Sequence, residues 1–319
     1  MTYGKETTTD EVLEGRDLSG LTAFITGGNS GLGRETGRAL ASKGAQVVLA
    51  GRDEKKLAAA AKAIRADTGS ESVETIACDL ADLASVRACT GEARERFARI
   101  DLLINNAGVM ATPFEHTKDG FERQFGTNHL GHFALTAGLM PLIEAAAGRP
   151  GSGRIVNLSS RAHQMTGVDL DDPHFERREY DPWASYGQSK TANVLFTVAL
   201  ENRFGAKGIH AYAVHPGGID TNLGRHLTTE MAQGLMQYIS KNDPGYSWKS
   251  IPQGAATSVW AATSETIEGR GGFYCEDCRE AAIEAEATDR GVRPYALDPD
   301  TAARLWDMSE RMTGVSFPA

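Results

Sequence analysis

The chain has 319 residues, of which 41% are hydrophobic, enough for one large α/β unit with a full core. Its formal net charge of −9 argues against nucleic acid or an anionic membrane as a main partner, since either favours a basic face. Four cysteines, Cys78, Cys89, Cys275 and Cys278, are too few and scattered for a disulfide framework, and the CxxC they end on lacks a second ligand pair, so no metal site is expected.

The first twenty residues are polar and acidic with no apolar run, neither a secretory signal nor a membrane anchor, which leads to the expectation of a cytoplasmic protein. Beyond them, apolar runs of strand length alternate with alanine- and charge-rich helical segments, the pattern of βαβ units around a parallel sheet. Strands are expected at Leu21–Thr26, Gln46–Ala50, Val73–Cys78, Leu102–Asn106, Arg154–Ser159, Ile209–His215 and Gly272–Cys275. Helices are expected at Leu32–Lys43, Glu54–Ala66, Leu83–Ala98, Phe121–Ala147 and Ser185–Arg203, the fourth bending or ending at Pro141. The near-continuous apolar character of VVLA and LLIN suits strands covered on both faces. No repeat or linker divides the chain, so residues 1–319 read as a single three-layer α/β/α domain built on a doubly wound parallel sheet of about seven strands.

The first strand runs into Thr26-Gly27-Gly28-Asn29-Ser30-Gly31-Leu32-Gly33, which opens the first helix. Glycines permit a tight turn and close backbone approach, and a helix N-terminus offers free N–H groups to a pyrophosphate. Gly27, Asn29, Ser30, Gly31, Leu32 and Gly33 are therefore candidate contacts of a dinucleotide. Arg34, just beyond, is either a second phosphate ligand or a solvated helix charge. At the end of the second strand, VVLAGRD places Arg52 where a ribose 2′-phosphate needs a cation, while Asp53 comes one residue later and suits a helix cap. This predicts NADP(H) in preference to NAD(H).

Tyr186 and Lys190, four apart in YGQSK, share one helix face. Bringing a tyrosine from its ordinary pKa to neutrality takes about 4 kcal/mol, and one ammonium about 4 Å away supplies about that much at an intermediate dielectric. Two long segments break the regular pattern. Residues 161–184 form a polar insertion, in which His163 either lines a pocket or sits exposed. Residues 222–251 carry Leu223, Leu227, Met231, Leu235, Met236, Tyr238 and Ile239, suiting a lid over an apolar substrate, a core helix or a subunit contact.

Taken together, TGGNSGLG, CDL at Cys78–Leu80, NNAG at Asn105–Gly108, TNHLGHF at Thr127–Phe133, NLSS at Asn157–Ser160, YGQSK and HPGGIDT at His215–Thr221 resemble, in family order, the short-chain dehydrogenase/reductase family. AGRD, RIVNLSSRAH, PQGAATSVW, GGFYCEDC and LWDMSE are similar to its retinol dehydrogenase and WW-domain oxidoreductase branch. The resemblance implies a Rossmann-type fold, with Asp79 and Leu80 at the adenine, Asn106, Ala107 and Gly108 along the cofactor, and Pro216, Gly217, Ile219 and Thr221 at the nicotinamide and its phosphate. It also implies a catalytic set of Asn128, Ser160, Tyr186 and Lys190. In that set Tyr186 is the general acid/base and Ser160 fixes the substrate oxygen. Lys190 binds the ribose and lowers the Tyr186 pKa, while Asn128 holds a water linking Lys190 to solvent. The expected protein is an NADP(H)-dependent oxidoreductase interconverting a carbonyl and an alcohol on a hydrophobic small molecule. Related enzymes pair through the helices beginning near Phe121 and Ser185, implying a homodimer or homotetramer. The alternatives are an NADPH-sensing binding protein of the same fold, or a reductase of a carbon–carbon double bond.

Overall fold

The structure is a computed structural model that describes residues 3–242, 247–286 and 290–318, apart from the side chains at 238 and 240–242. Seven strands run parallel: β1 (Thr22–Thr26), β2 (Gln46–Gly51), β3 (Val73–Ala77), β4 (Leu102–Asn105), β5 (Arg154–Leu158), β6 (His210–His215) and β7 (Phe273–Glu276). Their order is β3-β2-β1-β4-β5-β6-β7, reversing at β1 and β4, which bears out the doubly wound sheet. An unexpected two-residue strand, β8 (Arg279–Glu280), pairs antiparallel with β7. Its tight turn holds Asp277 and Cys278 at φ 49° and 57°, the left-handed backbone that two-residue hairpins require.

The helices are α1 (Gly31–Ala41), α2 (Glu54–Thr68), α3 (Leu83–Arg96), α4 (Gly131–Glu144), α5 (Pro182–Phe204), α6 (Thr229–Asn242), α7 (Ile251–Thr263) and α8 (Pro299–Thr313). Strand alternation divides the core between the two faces of the sheet. Phe24, Val48, Leu103 and Ile155 pack against α3, α4, α5 and α8, whereas Ile25, Val47, Ile104 and Val156 pack against α1, α2 and α7. Asp53 caps α2 by accepting from Lys56 N–H at 3.0 Å, and Gly69 ends it at φ 71°.

Two features differ from expectation. The fourth helix runs through Pro141 to Glu144, and its irregularity lies instead in a widened π-helical turn at Gly126–Leu130. Helices α7 and α8 were not anticipated, although each carries start signals: the capping box of Ser250 and Gln253, and Asp298 before Pro299. The outer faces of α4 and α5 are covered by α8 and the chain beyond it. Trp306 lies edge-on to Phe133, and Phe317 packs on both Phe133 and Phe196. Among the described residues, no helix is long and apolar enough to cross a membrane.

Candidate active site

The parallel strands point their carboxyl ends into a cavity of about 1700 Å³, lined from β1, β2, β4, β5 and β6 and the loops that follow them. Such a crevice forms where strand order reverses. One end is a backbone cradle. Gly27 and Gly31 sit at φ 67° and 53°. A Cβ on Gly33 would come within 2.5 Å of Gly27 O and Asn106 Nδ2, so only glycine fits there. Ser30 is the N-cap of α1 but gives no side-chain cap bond, which leaves the first-turn N–H groups directed at the crevice. That uncapped, glycine-cleared terminus fits a dinucleotide pyrophosphate.

Thr26 ties this cradle to the rest of the site. Its hydroxyl oxygen accepts from the N–H groups of Asn106 and Ala107, both at 2.9 Å, and donates to His132 Nε2 at 2.9 Å. His132 Nδ1 in turn donates to Asn128 O at 2.9 Å, and burial pushes its pKa down to about 4, so the ring is a neutral strut. The Asn128 side chain accepts from Val109 N–H at 2.8 Å and donates to Val109 O and Ser189 Oγ, both at 2.9 Å. Both of its amide protons are thus committed. Its side chain clamps the strand-end turn to α5, and Asn128 does not line the cavity, its Oδ1 lying behind Gly108.

Ser160, Tyr186 and Lys190 share one wall of the cavity. Ser159 Oγ is spent on Lys190 O at 2.9 Å, whereas Ser160 Oγ caps the turn Arg161–Met165 at its Ala162 N–H and hydrogen-bonds toward Tyr186. Lys190 is only 4% exposed, its Nζ donates to Leu158 O at 3.1 Å, and burial lowers its pKa to about 8. Tyr186 departs from expectation. Burial raises its pKa to about 12, and the Ser160 hydrogen bond only partly opposes this, so desolvation outweighs any help from Lys190, whose Nζ is 5.6 Å from the phenol ring centre.

Of the other predicted residues, Gly27, Asn29, Ser30, Gly31, Leu32, Arg52, Asp79, Leu80, Asn106, Ala107, Gly108, Pro216, Gly217, Ile219 and Thr221 all line the cavity. Gly33 lies buried beneath the cradle, and Arg34 is exposed and does not line the cavity. His163 is fully buried rather than exposed: Nδ1 donates to Ser160 O at 2.8 Å and Nε2 accepts from Arg293 N–H at 3.3 Å. Leu223, Leu227, Met231, Leu235 and Ile239 from the 222–251 segment line the cavity, while Met236 points outward, 44% exposed. Residues 243–246 and the Tyr238 side chain lie outside the described residues.

Sequence reasoning missed several residues the fold brings to the site. Lys249 is buried, and its ammonium pairs with Asp277 at 2.7 Å. Arg225, on the segment before α6, lines the cavity near Arg52 and Arg123, whose charges add to burial in lowering its pKa. Arg161 lines it directly beside Ser160. The dipeptide Ser160-Arg161 was the one local signal available for that last position.

A family model described as short chain dehydrogenase matches residues 21–232. A Streptomyces lividans protein named "Probable oxidoreductase" is 46% identical over 301 residues, covering 91% of this chain and 97% of its own. Retinol dehydrogenase 13 of Homo sapiens is 39% identical over 305 residues, covering 95% and 87%. Among solved structures, an uncharacterized protein from Mycobacterium paratuberculosis aligns with a TM-score of 0.72 at 36% identity, over 97% of this chain and 98% of its own.

Proposed function

Because the chain belongs to the short-chain dehydrogenase/reductase family, in its retinol dehydrogenase branch, and is therefore an oxidoreductase, we propose that it is an NADP(H)-dependent enzyme interconverting a carbonyl and an alcohol on a hydrophobic small molecule. The observation that carries this reading is the placement of Ser160, Tyr186 and Lys190 on one wall of a cavity whose other end is the glycine cradle.

The bound nicotinamide supplies the hydride in reduction and takes it up in oxidation. Tyr186 Oη gives its proton to the substrate oxygen as the hydride reaches the carbonyl carbon, and takes it back in the reverse direction. A pKa of about 12 keeps the phenol protonated at neutral pH, the state a proton donor needs. Ser160 Oγ holds the substrate oxygen against Tyr186. Lys190 Nζ, with two protons not used by Leu158 O, binds the ribose hydroxyls, and Asn128 fixes the turn on which Gly108 and Val109 sit.

Two features support NADP(H). The carboxylate that would favour NAD is taken up in capping α2, while Arg52 lines the cavity with no hydrogen bond or ion pair among the described residues. Arg52 and Arg225 repel one another across the cavity, and a dianionic 2′-phosphate held by them would relieve that repulsion. The apolar residues of α6 support a hydrophobic substrate.

The deciding experiment is titration with NADPH and NADH, followed by turnover of aromatic ketones and long-chain aldehydes by the wild type and by Tyr186→Phe. NADPH-dependent reduction by the wild type, lost by at least about a hundredfold in the variant with NADPH binding retained, supports the reading. Equal turnover by the two proteins removes Tyr186 from the mechanism. Tight NADPH binding with no turnover on any carbonyl favours a sensing protein.

A further inference from the structure

Resting on that reading and extending it to substrate class, we propose that Arg161 is the recognition group for an acidic substituent, so that the enzyme acts on amphipathic carbonyl compounds: an apolar body carrying a carboxylate.

Arg161 follows Ser160 directly, and its turn is held from several sides. Ser160 Oγ caps it, His163 bonds back to Ser160 O, and Thr191 and Tyr295 hydroxyls donate to His163 O at 3.1 and 2.6 Å. The base of the Arg161 side chain is therefore fixed relative to the residue proposed to hold the substrate oxygen. Arg161 is half-buried and lines the cavity, yet its guanidinium forms no hydrogen bond or ion pair among the described residues. Half-buried arginines ordinarily find a planar acceptor, because the fork of donors matches a carboxylate in bidentate fashion.

The neighbouring charges do not supply that acceptor. Asp277 is committed to Lys249. Glu276 accepts from Gly291 N–H at 3.1 Å, and burial drives its carboxyl toward the neutral form. Asp220 is exposed. Among the other cations, Arg293 donates to Glu284 O at 3.1 Å, and Arg290 also lines the cavity. The charge of Arg161 is felt inside the site, where it helps hold His215 neutral and acts on the buried Tyr274 phenol. Leu223, Leu227, Met231 and Leu235 line the same cavity and make part of it apolar. A ligand that satisfies both surfaces has an oily body and one anionic end, and the proposed 2′-phosphate contact would leave Arg161 rather than Arg52 for that end.

The test compares kcat/KM with NADPH for two matched pairs: an ω-oxo fatty acid and its methyl ester, and para-acetylbenzoate and its methyl ester. The wild type is expected to prefer the acids by about thirtyfold or more, the scale of one charge-assisted bidentate contact. Arg161→Gln is expected to erase that preference chiefly through KM for the acids, and Arg161→Lys to restore part of it. NADPH titration of each variant shows that the fold and cradle are intact. Equal use of acid and ester by the wild type, or a preference that survives in Arg161→Gln, overturns the proposal. A second arm, quenching of Trp183 and Trp248 fluorescence by dodecanoate against methyl dodecanoate, decides the matter if no probe turns over. Acid-selective binding lost in Arg161→Gln upholds the anion site while the catalytic reading fails, and binding without selectivity removes the site itself.

Discussion

The hydroxyl of Thr26 and the side chain of Asn128 show how few atoms hold the cofactor turn in place. Replacing Asn128 with Ala strands the N–H and C=O of Val109 in a fully buried setting, at a cost of about 2–4 kcal/mol for the unsatisfied pair. Urea unfolding of Asn128→Ala should show that loss together with weakened NADPH binding; unchanged stability would mean the clamp is dispensable. Arg52 makes a complementary prediction. Arg52→Ser is expected to raise the NADPH dissociation constant by about 10–100-fold while changing that for NADH little, the signature of one lost phosphate contact. Equal effects on the two cofactors would place the 2′-phosphate elsewhere. Both residues were legible because each belongs to a local motif. His132 was not: it bridges Thr26 and Asn128, and the contact to Thr26 spans 106 positions of chain.

At the scale of elements, the β7–β8 hairpin reaches back to the loop after β6. Lys249 donates its backbone N–H to Gly218 O at 2.9 Å, packs its stem over Gly217, and seats its ammonium on Asp277 in the hairpin turn. Gly217, at φ 95°, has room for no Cβ beneath that stem, with Lys249 Cδ 2.8 Å from where one would sit. Asp277→Asn keeps a residue that tolerates left-handed backbone and removes only the charge, leaving a nearly buried ammonium without its counterion. A loss of about 2–3 kcal/mol in thermal or urea unfolding is expected, partly recovered in Lys249→Met/Asp277→Asn. An additive double variant would show that the pair is not coupled. The hairpin was illegible in advance because CEDC was weighed as a metal motif, while its turn geometry depends on two non-glycine residues adopting positive φ. Helices α7 and α8 went unread although their caps are plain in the sequence, and the π-turn at Asn128 left no propensity signal at all.

Among the described residues, four histidines are held neutral, His129, His132 and His163 buried and His215 half-buried at the cavity, with His129 and His215 held down to about 3 and His132 and His163 to about 4, in each case mainly by desolvation. Their folded pKa values lie below the unfolded value of about 6.5, so the unfolded chain binds more protons as acidity increases. The stability they contribute is fully present above about pH 6.5 and is lost on descent toward pH 4 for His132 and His163 and toward pH 3 for His129 and His215, at about 1.4 kcal/mol per pH unit for each histidine. Urea midpoints should therefore fall steeply from about pH 7 to about pH 5; a flat profile would show that these rings are already solvated in the native state. The chain by itself determined the parallel sheet, the glycine cradle, the Tyr186/Lys190 spacing and the family, because these depend on residues that are near neighbours in sequence or on strand-length patterns of burial. Only the tertiary structure decided which arginines face the crevice, with Arg52, Arg161, Arg225, Arg290 and Arg293 inside and Arg34 outside. It also decided that burial raises the Tyr186 pKa to about 12 rather than lowering it, since desolvation belongs to everything packed around a group and is written nowhere in its own neighbourhood of the chain.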